Sequence, residues 1–539
     1  MPPGPGFFGL GDPESGMMSD LSTLHPCSHV SRRDLLAGGA AGTLLLLPFP
    51  ARAAPPTVGT RAGVVRGAIE DGIAVFRGLP YGAPTGGARR FLPPAAPEPW
   101  SGIRDATAFG DQCPQLAPPG ARRSEDCLVL NVWTPGADRD RKRPVMVWVH
   151  GGGFAVGAGD SPVNDGTRLC KRRDVVLVTI NHRLNVFGYL YCEDSRQAVP
   201  NVGQLDIVAA LRWVRDNIAA FGGDPDNVMV FGQSGGGSKV AALLAMPAAR
   251  GLFHRAALQS GFGTYAIGRE DALRITRALC AELGVARGDI AALRTVPTDR
   301  MLAALQRVTG SDPTKGPGIV ADGTVVPHVP FAPGAPPISP DIPLIIGHTA
   351  TETTVLFPPP EAFTLDWAQL PAALASKVNA PETLIAGFRA LRPDASASDL
   401  YFAITTELGM GRNARIAADK HAGLNRAPVF TYLLDWRTPV QGGKLRTPHG
   451  LELPLVFDTV ANAAETIGTG AAQAQRLAEV MSAAWTNFAR KGDPNGPGVP
   501  RWPRYMLPRR ETMIVDLPWH VRGDPLGAEQ ALIEAHLKP

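Results

Sequence analysis

With 539 residues the chain is long enough to bury a large core, and length alone allows two to four domains. Apolar residues make up 44% and charged residues 19%, a balance that excludes an intrinsically disordered chain. Formal net charge is +4 with no long basic run, so nucleic acid is not an implied partner.

In chain order, residues 1–30 are rich in Pro, Gly and Ser and unpatterned, with Met17 or Met18 as a later start. Ser31-Arg32-Arg33-Asp34-Leu35-Leu36 then leads into the apolar run AGGAAGTLLLLPFP and the small-x-small triplet Ala51-Arg52-Ala53. Paired arginines before such a run read as a twin-arginine signal peptide cleaved after Ala53. The run falls short of the ~20 residues that span a bilayer. The expectation is an exported protein, with 1–53 removed and 54–539 forming one catalytic domain, and with no stable membrane span.

Residues 60–81 alternate around Glu70-Asp71-Gly72 and predict a hairpin, followed by an irregular Pro/Gly/Arg segment over 82–100. Residues 128–133, 145–149 and 174–180 are short apolar runs, as expected of strands buried on both faces. Ile207, Leu211, Val214 and Ile218 mark one face of a helix over 201–220, which Gly222-Gly223 stops. Further buried strands are predicted at 227–231, 255–259, 343–347, 428–434 and 513–517. Strands separated by helical stretches imply an α/β fold with a mostly parallel sheet covered on both faces. Residues 358–426 interrupt that rhythm with helical patterning and are expected to form a cap.

Without the leader, the cysteines are Cys113, Cys127, Cys170, Cys192 and Cys280. Export permits disulfides. Cys113 and Cys127 close a short Pro-rich loop, where a bridge would stabilise by about 3 kcal/mol on chain-entropy grounds. Cys170 with Cys192 is another open pairing, and an odd number leaves at least one thiol over.

The chemistry centres on Gly232-Gln233-Ser234-Gly235-Gly236, a G-x-S-x-G turn between the strand at 227–231 and a helix start. The motif alone is weak evidence in a chain with 60 glycines. A serine nucleophile also needs a base, an acid to orient it, and N–H donors for the oxyanion. His150-Gly151-Gly152-Gly153 follows the strand at 145–149 and offers bare backbone N–H groups; Gly235 offers another. Glu352 stands at the carboxyl end of the 343–347 strand, and His449 in a loop after the 428–434 strand. Either could be a solvated loop group by itself, but both lie at strand ends, where a parallel sheet presents its loops. They also follow the chain order oxyanion loop, Ser, acid, His.

Long blocks point the same way. GLPYG at 78, RRFLPP at 89, SEDCLVLNVWTP at 124 and HGGGF at 150 are followed by NHRLNVFGYL at 181 and NVGQLDIVAALRWVRDNIAAFGGDPDNVMVFGQSGGG. LFHRAALQSG, DGTVVP, PLIIGHTATE, HGLELPLVF, WTNFARKGDPN and RWPRY complete the set. With these, the chain resembles the type-B carboxylesterase/lipase family from residue 60 to its end. The resemblance implies an α/β-hydrolase fold, an acyl-enzyme mechanism without metal or cofactor, and a small-molecule ester as substrate. It implies Ser234 as nucleophile, Glu352 as acid and His449 as base, with Gly152, Gly153 and Gly235 as oxyanion donors. It further implies a Cys113–Cys127 disulfide, buried ion pairs Arg90–Glu125 and Arg183–Asp206, and Ser260 beside the acid. Three departures stand out: Gly235 in place of a usual alanine, Thr351 and Thr353 around the acid, and His182 for a common tyrosine. The rival readings are the same triad acting on a carbamate, amide or thioester, and a catalytically silent adhesion domain of the same fold, in which the serine would be missing. Acyl preference and oligomeric state leave no trace in the sequence.

Overall fold

The apolar runs of the sequence line up side by side in a single large sheet. In the computed structural model, which describes residues 54–116, 120–193, 196–310, 315–356 and 358–538, fourteen strands are formed. The twin-arginine segment expected within residues 1–53 lies outside the described residues. The first strands are β1 (Thr57–Gly59), β2 (Val64–Arg66), β3 (Ala68–Glu70), β4 (Ile73–Pro80), β5 (Ile103–Asp105), β6 (Val129–Thr134) and β7 (Arg143–Val149). They are followed by β8 (Val176–Ile180), β9 (Gly223–Gln233), β10 (Arg255–Gln259), β11 (Leu344–Thr349), β12 (Val429–Leu434), β13 (Glu511–Val515) and β14 (His520–Gly523).

Eleven strands make the main sheet in the order β14-β13-β12-β11-β10-β9-β7-β8-β6-β4-β3, and β1, β2 and β5 form a separate small one. Seven neighbours, from β8 through β7 and β9 to β13, run parallel; antiparallel strands flank them on both sides. Every residue of β6, β7, β8, β11 and β12 is buried, because helices cover both faces. Two large cores result, one on each side. Val147, Val149, Val178, Ile207 and Leu211 belong to the first, and Met146, Trp148, Phe231, Phe457 and Trp485 to the second. The helix of the 201–220 pattern is Val202–Asn217, and Ile207, Leu211, Val214 and Ile218 are all buried. Gly222, at φ +79, ends the stretch in the left-handed region that favours glycine.

Several expectations need correction. The hairpin is shorter than 60–81: Asp71 and Gly72 turn β3 into β4, whereas Val64–Arg66 leaves for the small sheet. Gly67 marks the parting, where a Cβ would collide with the Val75 carbonyl. The expected Cys113–Cys127 disulfide is not formed. Both thiols are buried and free, and the Leu184 N–H donates to Cys113 Sγ at 3.2 Å. Cys170 is also a free thiol, buried against the Trp133 carbonyl, so it does not pair with Cys192.

Residues 358–426 carry the helices Leu370–Leu374, Pro381–Leu391, Ala397–Thr406 and Arg412–Ala422, with a π-helical turn at Glu407–Gly411. They have a small core of their own around Leu384, Phe388, Leu400 and Phe402. Thr405 hydrogen-bonds Thr353 at 2.6 Å, and Asp399 pairs with Arg446 just before the His449 loop.

Candidate active site

Four strand ends converge on one place. β9 ends at Gln233, and the chain reverses at Ser234 into the helix Gly235–Ala245. Ser234 has φ +59 and ψ −130, a conformation costly for any residue with a β-carbon and persistent only where the surroundings enforce it. They do so with two backbone bonds: the Ser234 N–H donates to Gln259 O at 2.8 Å, and the Ser238 N–H donates to Ser234 O at 3.1 Å. From Val228 to Met246 every residue except Ser234 is buried. The serine is therefore presented at the apex of an otherwise solvent-free turn.

The glycines around it are required by close approach. A Cβ on Gly232 would lie 2.5 Å from the Gly236 carbonyl carbon, and one on Gly236 would collide with the Val149 carbonyl. Gly235 is equally tight, since a Cβ there would collide with the Gly153 carbonyl. The backbone at this departure from alanine is thus packed rather than loose.

After β7 the segment His150–Gly153 arches over the elbow. Gly152 and Gly153 adopt φ +82 and +61, and a Cβ on Gly151 would sit 3.2 Å from Ser234 Cβ. Lys239, in the elbow helix, reaches back to this arch, donating from Nζ to Gly153 O at 2.7 Å and to His150 O at 3.4 Å.

Glu352 sits in the short turn after β11 and is fully buried. One oxygen accepts the Thr349 N–H at 2.7 Å and the other accepts the Nδ1–H of His449. Burial alone would raise its pKa, but the charge and hydrogen bond of His449 bring it below the ordinary carboxylate value. Burial would likewise lower His449, yet the neighbouring Glu352 holds its pKa above 6.5. The Gln233 amide reaches His449 Nε2 at 3.1 Å, which lays the imidazole against the elbow.

Ser260 follows β10 at φ +48, and its hydroxyl donates to Glu452 Oε1 at 3.3 Å. The sequence reading missed Glu452, which stands three residues beyond His449 and is fully buried. Burial first, then repulsion from Glu352, push its pKa up to about 7. Environment thus drives two adjacent carboxyls apart, Glu352 towards the ionised form and Glu452 towards keeping its proton up to about neutral pH.

Both predicted ion pairs are formed. Arg183 is bidentate to Asp206 at 2.7 and 2.8 Å and donates to Leu92 O; Arg90 pairs with Glu125 and donates to Val296 O at 2.7 Å. Lys239 and Gln233 were also missed, although a lysine inside the apolar run GGGSKVAALLA was a visible anomaly. Among the described residues, no group of three or more His, Cys, Asp or Glu is placed to hold a metal ion.

A mixed sheet with a central parallel block, helices on both faces and a serine elbow at the carboxyl end of a central strand defines an α/β hydrolase. The carboxylesterase family model matches residues 54–524, and the chain belongs to that family. It is 37% identical to the para-nitrobenzyl esterase of Bacillus subtilis over 87% of this chain and 96% of that protein. It is 34% identical to the phenmedipham hydrolase of Pseudarthrobacter oxydans over 85% and 95%. The carboxylesterase EST55 of Geobacillus stearothermophilus superposes with a TM-score of 0.80 at 38% identity, over 88% of this chain and 99% of that one. The protein is a carboxylic ester hydrolase.

Proposed function

We propose that the protein is an exported serine esterase working through an acyl-enzyme. Ser234 Oγ attacks the ester carbonyl while His449 Nε2 takes its proton, and Glu352 holds the ring with Nδ1–H directed to the carboxylate. The N–H groups of Gly152, Gly153 and Gly235 receive the oxyanion. His449 then protonates the departing alcohol. Water loses a proton to His449, attacks the acyl group, and the acid leaves with Ser234 restored.

The observation that supports this reading is a strained serine elbow whose Gln233 amide reaches an imidazole bonded to a buried carboxylate. Residues 358–426, tied to the Glu352 and His449 loops through Thr405 and Asp399, shape the acyl and alcohol pockets. Small p-nitrophenyl and p-nitrobenzyl esters are the first substrates to try, given the para-nitrobenzyl esterase relative. The deciding experiment is hydrolysis of p-nitrophenyl esters from acetate to laurate by wild type and Ser234→Ala. A loss of at least ~10³-fold is expected. Equal activity in both proteins overturns the assignment. Export rests on Arg32-Arg33; Lys at both positions is expected to abolish appearance of the mature chain outside the cytoplasm, and unchanged secretion refutes it.

A further inference from the structure

Lys239 is completely buried, yet among the described residues it belongs to no ion pair. An ammonium in such a place is costly and is retained only where something uses it. Its surroundings are two carbonyls and a ring: Nζ donates to Gly153 O at 2.7 Å and His150 O at 3.4 Å, and lies 5.0 Å from the centre of the Phe154 ring. Those two carbonyls close the peptide units at either end of the Gly151–Gly153 arch. Gly153 O is at the same time pressed against the Cα of Gly235, so it is held from two sides.

We propose that Lys239 is a positioning residue for the oxyanion loop, its single ammonium clamping both ends of the glycine arch and setting a fixed positive charge behind the oxyanion. This rests on the reading of Ser234 as nucleophile. The clamp explains how a run of three glycines, each with little conformational preference, holds one geometry without spending binding energy on ordering it.

The groups that face Lys239 make it the local charge. His150 and His182 stack at 4.4 Å with rings 4° from parallel; burial, and then the Lys239 charge, bring His150 down to about 3 and His182 well below 6.5, so both stay neutral. From the helix Val202–Asn217, Gln204 reaches the Lys239 carbonyl at 3.1 Å, and Asp206 is engaged by Arg183. Tyr189 and Tyr265 pack on Phe154, and burial raises both above the ordinary phenol value, so they too are neutral. Burial with no compensating carboxylate lowers Lys239 to about 7. A clamp that needs the ammonium therefore weakens as pH rises past neutrality, against the rise expected from deprotonation of His449.

The test compares wild type, Lys239→Met and Lys239→Gln with p-nitrophenyl butyrate, reading kcat, KM, inhibition by phenylboronic acid, pH profile and thermal midpoint, with Ser234→Ala as control. Methionine keeps the volume without donor or charge, and glutamine keeps a donor without charge. Expected for methionine is a fall in kcat of about 10–10²-fold with KM within ~3-fold, and a matching rise in the inhibition constant of the tetrahedral boronate adduct. Glutamine recovers part of kcat. The wild-type profile declines on its alkaline side, and both variants lose that decline while their thermal midpoints stay equal or rise. The proposal falls if kcat and boronate affinity are unchanged, if activity is lost only in step with a lowered thermal midpoint, or if wild type has no alkaline decline (a result that needs no variant). Activity persisting in Ser234→Ala would instead sink the nucleophile assignment, so the two failures are distinguishable.

Discussion

Glu452→Gln tests the electrostatics of the site in one substitution. Glu452 is ordinarily a carboxyl of pKa 4.5, and burial beside Glu352 pushes it up to about 7. The folded state thus binds its proton between those values while the unfolded chain has lost it. Because the folded state holds more protons there, stability falls as pH rises through that window, and the deficit is complete above about 7. At ~1.4 kcal/mol per tenfold the full deficit is of order 3 kcal/mol. Glutamine has the shape of the protonated acid, keeps an acceptor for the Ser260 hydroxyl, and does not ionise. The variant is expected to match wild type at pH 5 and to exceed it at pH 9, by a few degrees in thermal midpoint for a chain this size. Ionised Glu452 also helps hold a proton on His449, so the acid limb of kcat moves to lower pH in the variant. Differential scanning fluorimetry at both pH values and a kcat profile check this. Equal destabilisation at pH 5 and pH 9 would refute it, because the group would then be needed as a carboxylate.

Arg183→Met should cost about 3–5 kcal/mol, since it strands buried Asp206, and the double variant Arg183→Met/Asp206→Asn should recover much of that in urea melts. If the double variant falls further, the pair acts otherwise than as a charge couple. Glu352→Gln should lower kcat by about 10³–10⁴-fold with KM little changed, because an amide no longer selects the Nδ1–H tautomer; steady-state kinetics decide. Gly235→Ala forces its methyl into the Gly153 carbonyl, and a loop displaced by ~1 Å should lose up to ~10²-fold in kcat. Unchanged kcat there would mean that the arch has slack.

What could be read in the sequence was what burial or steric necessity writes locally. β7 and β8 are continuous apolar runs because both faces are covered, and Gly232, Gly235 and Gly236 flag a turn no β-carbon fits. β14 left no signal, being four exposed residues on the sheet edge, and β1, β2 and β5 are only three residues each. Order along the chain placed Glu352 and His449, but not Glu452, whose pKa depends on a neighbour 100 positions earlier in the chain. The cysteine pair differs for a related reason: loop length allows a bridge, whereas the fold leaves both thiols buried and free.

Departures from good core design cluster at one place: a serine at positive φ, a lysine without a carboxylate, and a glutamate with one oxygen unpartnered. The costs of the two buried charges run in opposite directions with pH. Lys239 is lowered from 10.5 to about 7, so the folded state binds fewer protons between those values and its stability rises with pH there; the lysine's cost is complete below about 7 and fades only towards 10.5. The Glu452 cost grows from 4.5 and is complete above about 7. Neither group figures among the causes that shift the other, so the substitutions should add. Lys239→Met/Glu452→Gln is therefore expected to gain stability at both ends of the range, chiefly through the lysine change at pH 5 and through the glutamate change plus a remaining share of the lysine change at pH 9, while kcat falls as in Lys239→Met alone. Thermal midpoints across pH 5–9 test the addition. A double variant no more stable than wild type at either end would mean that these charges are compensated by contacts in the folded protein, and that the site does not trade stability for its chemistry.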